Sequence, residues 1–233
     1  MKAVRRTEVE KLQAKLRTEL RRAGDPEIAA GAQAYMKSEM PYYGIMAPVQ
    51  RRIFKEHFAD ISFPTAEAWR DAVLFIWRNA KFREERYFAI SFCAYKNARS
   101  FQTPDALPMY EEMIVTGAWW DLVDGLHHTV GGLLKGFPKE IGKAMRAWSR
   151  SDNMWKRRMS IICQLSFKKD TDLRLLYDCI EPSLDSREFF LRKAIGWALR
   201  QYAWTDPDEI RRYVAQNEDR LSPLSKREAL KNL

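Results

Sequence analysis

Segments of similar character return at nearly constant spacing along this chain, within a sequence that is helical almost throughout. Glu84-Glu85-Arg86-Tyr87-Phe88-Ala89-Ile90, Trp120-Asp121-Leu122-Val123-Asp124-Gly125-Leu126, Trp155-Lys156-Arg157-Arg158-Met159-Ser160-Ile161 and Phe189-Phe190-Leu191-Arg192-Lys193-Ala194-Ile195 each end in a small residue followed by Ile or Leu. Their anchors Ile90, Leu126, Ile161 and Ile195 lie 36, 35 and 34 residues apart, and Ile53 lies 37 before Ile90. One helix pair cannot bury its apolar face alone, so a helical period near 35 implies pairs stacked into a solenoid. No linker or composition shift divides the chain. The expectation is all-α, a single repeat domain over 1–233 with about six helix pairs.

Strand-type alternation bounded by turn residues is hard to find, whereas helix starts are well marked. Thr103-Pro104-Asp105 offers a cap, a proline at the first helical position and an early acid, and Thr205-Asp206-Pro207-Asp208 repeats the device. Ser225-Lys226-Arg227-Glu228 has the spacing of a capping box. With short connections such as Gly136-Phe137-Pro138 and Ser149 to Asn153, roughly twelve helices are predicted.

The chain has 233 residues, of which 46% are hydrophobic and 30% charged, a globular balance long enough for a sizeable core. Its formal net charge is +9, which favours an anionic partner: nucleic acid, a membrane surface or an acidic protein. Cys93, Cys163 and Cys179 are odd in number and sit in apolar helical contexts. They read as buried thiols in a reducing compartment, not as disulfides or a metal site. The charged stretch Met1 to Arg22 lacks the apolar core of a secretory signal, and no apolar run approaches the roughly 20 residues of a membrane span.

Stacked pairs wind so as to leave a concave side, on which the aligned segments would be equivalent inner helices. Relative to its own anchor, Trp120 is at −6, Asp124 at −2, Arg158 at −3 and Trp197 at +2. Steps of four follow one helix stripe, with −3 beside it, about 200° from the anchor and so pointing away from the core. An aspartate, an arginine and two tryptophans would then converge from three repeats. Asp124 is a candidate catalytic carboxylate against the alternative of a surface ion pair. Trp120 and Trp197 are candidate stacking platforms, while Trp119 and Trp155 are assigned to the core. Arg158 is a candidate phosphate clamp or a solvated arginine.

Further basic residues cluster at Arg51-Arg52, Lys156-Arg157-Arg158, Arg192-Lys193 with Arg200, and Lys226-Arg227. They would make the hollow a basic groove whose phosphate contacts depend strongly on salt. His57, His127 and His128 show no metal-ligand spacing, and His127-His128 are expected to cover a helix end. No nucleophile elbow, phosphate-binding glycine loop or dinucleotide fingerprint is present, and neither metal nor cofactor is expected.

Trp119-Trp120-Asp121-Leu122-Val123-Asp124 resembles AlkD-type bacterial DNA glycosylases, together with Tyr35-Met36-Lys37, Tyr43-Gly44-Ile45, Pro48 and Arg51-Arg52 upstream. So do Ser151-Asp152-Asn153-Met154-Trp155 through Arg158, Glu188-Phe189-Phe190 through Trp197, and Leu224-Ser225-Lys226-Arg227-Glu228-Ala229. The blocks follow family order over nearly the whole chain. The resemblance implies a right-handed superhelix of HEAT-like repeats and excision of N3- and N7-alkylated purines from duplex DNA. It places the catalytic aspartate on Asp124, the sugar-contacting tryptophans on Trp120 and Trp197, the DNA-binding arginine on Arg158 with Arg157 beside it, and the lesion-side tyrosine on Tyr35. Arg51, Arg52 and Lys193 are the further DNA-binding candidates. The expected partner is alkylated double-stranded DNA, with no membrane, a monomeric chain and a place in the bacterial cytoplasm near the nucleoid. The alternatives are a non-catalytic DNA-binding paralogue and a repeat scaffold for a protein partner. Neither needs a carboxylate facing phosphates.

Overall fold

The computed structural model describes residues 6–233, and among these it contains fourteen α-helices and four short 3-10 helices. The chain is all-α, as the helical period requires. The helix count exceeds the roughly twelve read from the sequence, partly because two helices are only six and seven residues long. By Cα proximity the chain forms two compact units, one reaching Gln102 and one running from Thr103 to Leu233. Among the described residues no helix is long and apolar enough to cross a membrane.

The first unit holds α1 (Arg6–Ala23), α2 (Pro26–Met36), α3 (Ala47–His57), α4 (Ala66–Arg78) and α5 (Arg83–Ala94). Leu16, Leu20, Trp69, Ile76, Trp77, Phe88 and Phe92 are fully buried among them. Asp25 caps α2 through its side chain and Thr65 caps α4, each satisfying backbone donors that no helical carbonyl can reach. The repeat anchor Ile53 is buried. Ile90 is only half-buried, and its turn of α5 turns Phe88 and Ala89 inward instead.

Glu84 and Glu85 at the start of α5 are completely buried. Glu84 accepts the backbone N–H groups of Tyr43, Gly44 and Ile45 at 2.9–3.1 Å. Glu85 takes donors from Gln13, Arg17 and the Tyr43 hydroxyl. The Tyr43 phenol is pushed far up by burial and by the facing Glu85 carboxylate. Gly44 sits at φ +83, and a Cβ there would lie 1.9 Å from the Asp25 carbonyl oxygen, so only glycine lets this loop close on the first turn of α2.

The second unit holds α6 (Leu107–Gly117), α7 (Trp120–Gly125), α8 (His127–Gly136), α9 (Pro138–Trp148), α10 (Met154–Ile162), α11 (Leu173–Ile180), α12 (Phe189–Ala203), α13 (Pro207–Gln216) and α14 (Pro223–Ala229). Helix α10 is its hub, packed against α6, α7, α9, α11 and α12. The aligned segments α7, α10 and α12 therefore lie side by side, with the anchors Leu126, Ile161 and Ile195 buried between them. Asp206 caps α13 as its motif predicts. Thr103 precedes a 3-10 turn but makes no side-chain cap.

The capping box read at Ser225 is displaced. Helix α14 begins three residues earlier, and Ser222 accepts the Ser225 N–H at 3.0 Å. Ser225 itself is buried and donates its hydroxyl to the Arg192 carbonyl. Helices α12 and α14 approach closely at Gly196, where a Cβ would lie 2.4 Å from that of Glu228.

Candidate active site

Helix α6 stops at Gly117 because the next residue, Ala118, takes the left-handed conformation at φ 41 and ψ 35. Trp119 then adopts an extended backbone, and Trp120 opens α7. This reversal presents the short α7 with Leu122 and Val123 buried and Trp120 and Asp124, one turn apart, half-buried. Trp119 is half-buried, not a full core residue, and its ring packs 6.3 Å from Trp155 and 5.4 Å from Phe190. Trp155 is buried as expected.

Helix α10 supplies the partner of Asp124. The Asn153 side chain accepts the N–H groups of Trp155 and Lys156 and starts the helix. Arg158, one turn on, points inward and is 5% exposed. Its Nε donates to Asp124 Oδ1 at 2.8 Å and its Nη2 to Oδ2 at 2.7 Å, while Nη1 donates to the Phe190 carbonyl at 2.6 Å. This is a two-pronged charge-assisted pair, which fixes the carboxylate plane as well as its place. Arg158 is therefore not the solvated arginine that is one reading of the sequence. The stripe expected to point away from the core turns inward at this position, and the guanidinium is occupied in holding Asp124 and the start of α12. The Asp124 side chain keeps 16% exposure, so the pair offers its anionic end to solvent.

Trp197 lies half-buried on α12, its ring 6.3 Å from that of His127. His127 opens α8, and its Nδ1 is 2.6 Å from the Asp124 carbonyl oxygen. The imidazoles of His127 and His128 lie 3.8 Å apart, and His128 Nδ1 is 3.1 Å from the Ser166 hydroxyl. Burial lowers the His127 pKa below the ordinary histidine value; the bond to Asp124 opposes this shift and the neighbouring His128 adds to it. Asp124, Arg158 and Trp197 are thus gathered by α7, α10 and α12, with Trp120 a turn before Asp124.

The remaining basic candidates divide by environment. Arg157 is tied to the Pro182 carbonyl and the Ser183 hydroxyl. Lys193 pairs with Glu228 at 3.0 Å, and Arg200 meets the same carboxylate at 2.6 Å. These two cations, Lys193 foremost, hold the Glu228 carboxyl below the usual range. In the first unit Tyr35 is 77% exposed near the end of α2, and Arg51 and Arg52 are exposed on α3. Phe190 and His127 complete the site although the sequence did not single them out for it. Phe190 acts through its carbonyl, which no side-chain pattern could reveal. The signal for His127 was its position three residues after the candidate carboxylate. All three cysteines are buried and none forms a disulfide, and burial pushes the Cys179 thiol up to about 12.

A solved structure described as a predicted DNA alkylation repair enzyme from Enterococcus faecalis is similar to this chain with a TM-score of 0.76 and 28% identity, over 90% of this chain and 96% of that one. No curated protein matches the chain. The family model for DNA alkylation repair enzymes matches residues 16–233 and so includes every residue of the Asp124 site. With that match over nearly its whole length, the chain belongs to the DNA alkylation repair enzyme family.

Proposed function

We propose that this chain is a monofunctional DNA glycosylase that removes N3- and N7-alkylated purines from duplex DNA by hydrolysis, with Asp124 as the electrostatic catalyst. The observation that carries this reading is a carboxylate fixed by two Arg158 donors yet partly open to solvent, on the helix that also bears Trp120. An N3- or N7-alkylated purine is already cationic and leaves as a neutral base without a general acid. The costly species is the oxocarbenium-like sugar that forms as the glycosidic bond lengthens. A preorganised carboxylate stabilises that charge without reorganising. At 4 Å and an effective dielectric of 20 the attraction is about 4 kcal/mol. Arg158 subtracts part of this, but it sits behind the carboxylate and is the more buried of the two. The indole faces of Trp120 and Trp197 add attraction for cationic sugar atoms.

In this reading Arg158 works through Asp124, and phosphate contacts fall to the exposed Arg51 and Arg52 and to the half-buried Lys193, with Tyr35 on the lesion side. The protein acts as a monomer in the bacterial cytoplasm. The test is single-turnover excision from a duplex carrying one 7-methylguanine, read by alkali cleavage at the abasic site. Asp124→Asn is expected to slow excision about 100- to 1,000-fold while leaving duplex binding intact. Equal rates for wild type and variant would end the assignment.

A further inference from the structure

Hydrolysis of a glycosidic bond releases a proton from the attacking water, which some group must receive. Each Asp124 oxygen accepts one N–H from Arg158, which fixes the carboxylate and leaves its open edge to face the sugar cation. His127, three residues after Asp124, carries a ring that can take up a proton. A carbonyl oxygen can only accept, so the 2.6 Å contact between His127 Nδ1 and the Asp124 carbonyl makes Nδ1 the donor. The proton of the neutral ring is therefore on Nδ1, and Nε2 carries the lone pair. The ring is held on one side by His128, 3.8 Å away, and lies 6.3 Å from Trp197 on the other helix of the site.

We infer that His127 is the proton acceptor for the attacking water, with Nδ1 anchored to the Asp124 backbone, the ring 6.3 Å from that of Trp197, and the lone pair on Nε2. The inference rests on the glycosylase reading above and adds a residue to it. As the bond from C1′ to the purine nitrogen breaks, its electron pair leaves with the base, which departs neutral. The water oxygen bonds to C1′ and its proton passes to Nε2. The imidazolium then returns that proton to solvent, so the enzyme is regenerated and no other reactant is needed. Two groups act on the charge of the ring: Asp124 on α7, which favours protonation, and His128 beside it on α8, which opposes it. On the packed helices, α10 contributes Arg158, already paired with Asp124, and α12 contributes the uncharged Trp197. Burial outweighs the bond to Asp124 and keeps the ring neutral, which is the form a base requires.

The test is the pH profile of single-turnover excision from 7-methylguanine duplex at saturating protein. Wild type is expected to lose rate on the acid side of the ordinary histidine value of about 6.5. His127→Gln can still donate to the Asp124 carbonyl but cannot take a proton. It should be slower by about 10- to 100-fold, the low end for general base catalysis because the sugar cation is so reactive, and its acid limb should vanish. His128→Gln should keep an acid limb, moved to higher pH because the neighbour that opposes protonation of His127 is gone. A folded His127→Gln with the wild-type rate and limb overturns the inference, while loss of excision in Asp124→Asn alone leaves the glycosylase reading standing. A wild type that cannot excise 7-methylguanine overturns both. Should His127→Gln fail to fold, the wild-type profile still decides, since a flat acid side leaves no titrating acceptor at this position.

Discussion

Each unit of this protein fixes a carboxylate by hydrogen bonds, Glu84 near the start of α5 and Asp124 near the end of α7, and the two are left open to very different degrees. In the first unit Glu84 is completely buried, and its two oxygens accept three backbone N–H groups from one loop. No edge of it reaches solvent, and its bonds hold the Tyr43–Ile45 turn. In the second unit Asp124 has a single arginine for a partner and an edge open to solvent. The difference lies in what supplies the donors. Backbone donors surround a carboxylate and close it off, whereas a planar guanidinium grips from one side and leaves the other free. A charge that must act on a substrate needs the second arrangement.

Removing each charge should therefore produce failures of different kinds. Glu84→Gln turns an acceptor oxygen into an NH2 group facing a backbone donor in a fully buried site. The expected cost is about 3 kcal/mol, the desolvation penalty of donors left unsatisfied, seen as a lower midpoint in urea unfolding. Asp124→Asn should fold with a much smaller loss and fail in excision instead. If Glu84→Gln were as stable as wild type, the two carboxylates would not differ as argued.

Arg158→Ala sharpens the contrast. It leaves Asp124 partly buried and without its cation, a change worth roughly 3–5 kcal/mol when burial is complete and less here because the carboxylate reaches solvent. Excision should fall about as far as in Asp124→Asn. Duplex affinity measured across a salt series should keep its slope, because a residue that neutralises no phosphate releases no counterion. A slope reduced by about one would instead return Arg158 to the phosphate-binding role that the family resemblance assigns it.

Much of this architecture was legible before the coordinates. Helical period, proline at first positions and the Asp206 cap all act within a few residues, and they place α13 correctly. The 35-residue spacing was enough to bring α7, α10 and α12 together, because equivalent helices in stacked pairs must be neighbours. What stayed hidden depends on partners distant in sequence. Arg158 and Asp124 are 34 residues apart, and only the packing of α10 on α7 turns a flank position into a buried one. The loop donors that meet at Glu84 lie about 40 residues away on a turn of irregular backbone, which leaves no periodic trace. The misplaced cap at Ser225 is a local failure: Ser222-Pro223 carries an equally good start, and contact with α12 decides between them.

The turn whose N–H groups hold Glu84 and the turn that leads into α7 differ as well, and this yields the smallest expected effect. Gly44 has a positive φ and no room for a Cβ, so Gly44→Ala collides with backbone. Ala118 has φ 41 but carries a Cβ, so the reversal into α7 is held in a conformation that disfavours any residue except glycine. Ala118→Gly would relieve about 1–2 kcal/mol of that strain and lose about 0.4–1 kcal/mol through the greater freedom of the unfolded chain. The relief wins by roughly 0.5 kcal/mol, so the melting temperature should rise by a degree or two. Excision should not rise with it, since a glycine before Trp119 loosens the entry of the helix that carries Trp120 and Asp124. A variant both more stable and faster would mean that the alanine contributes nothing to positioning the carboxylate.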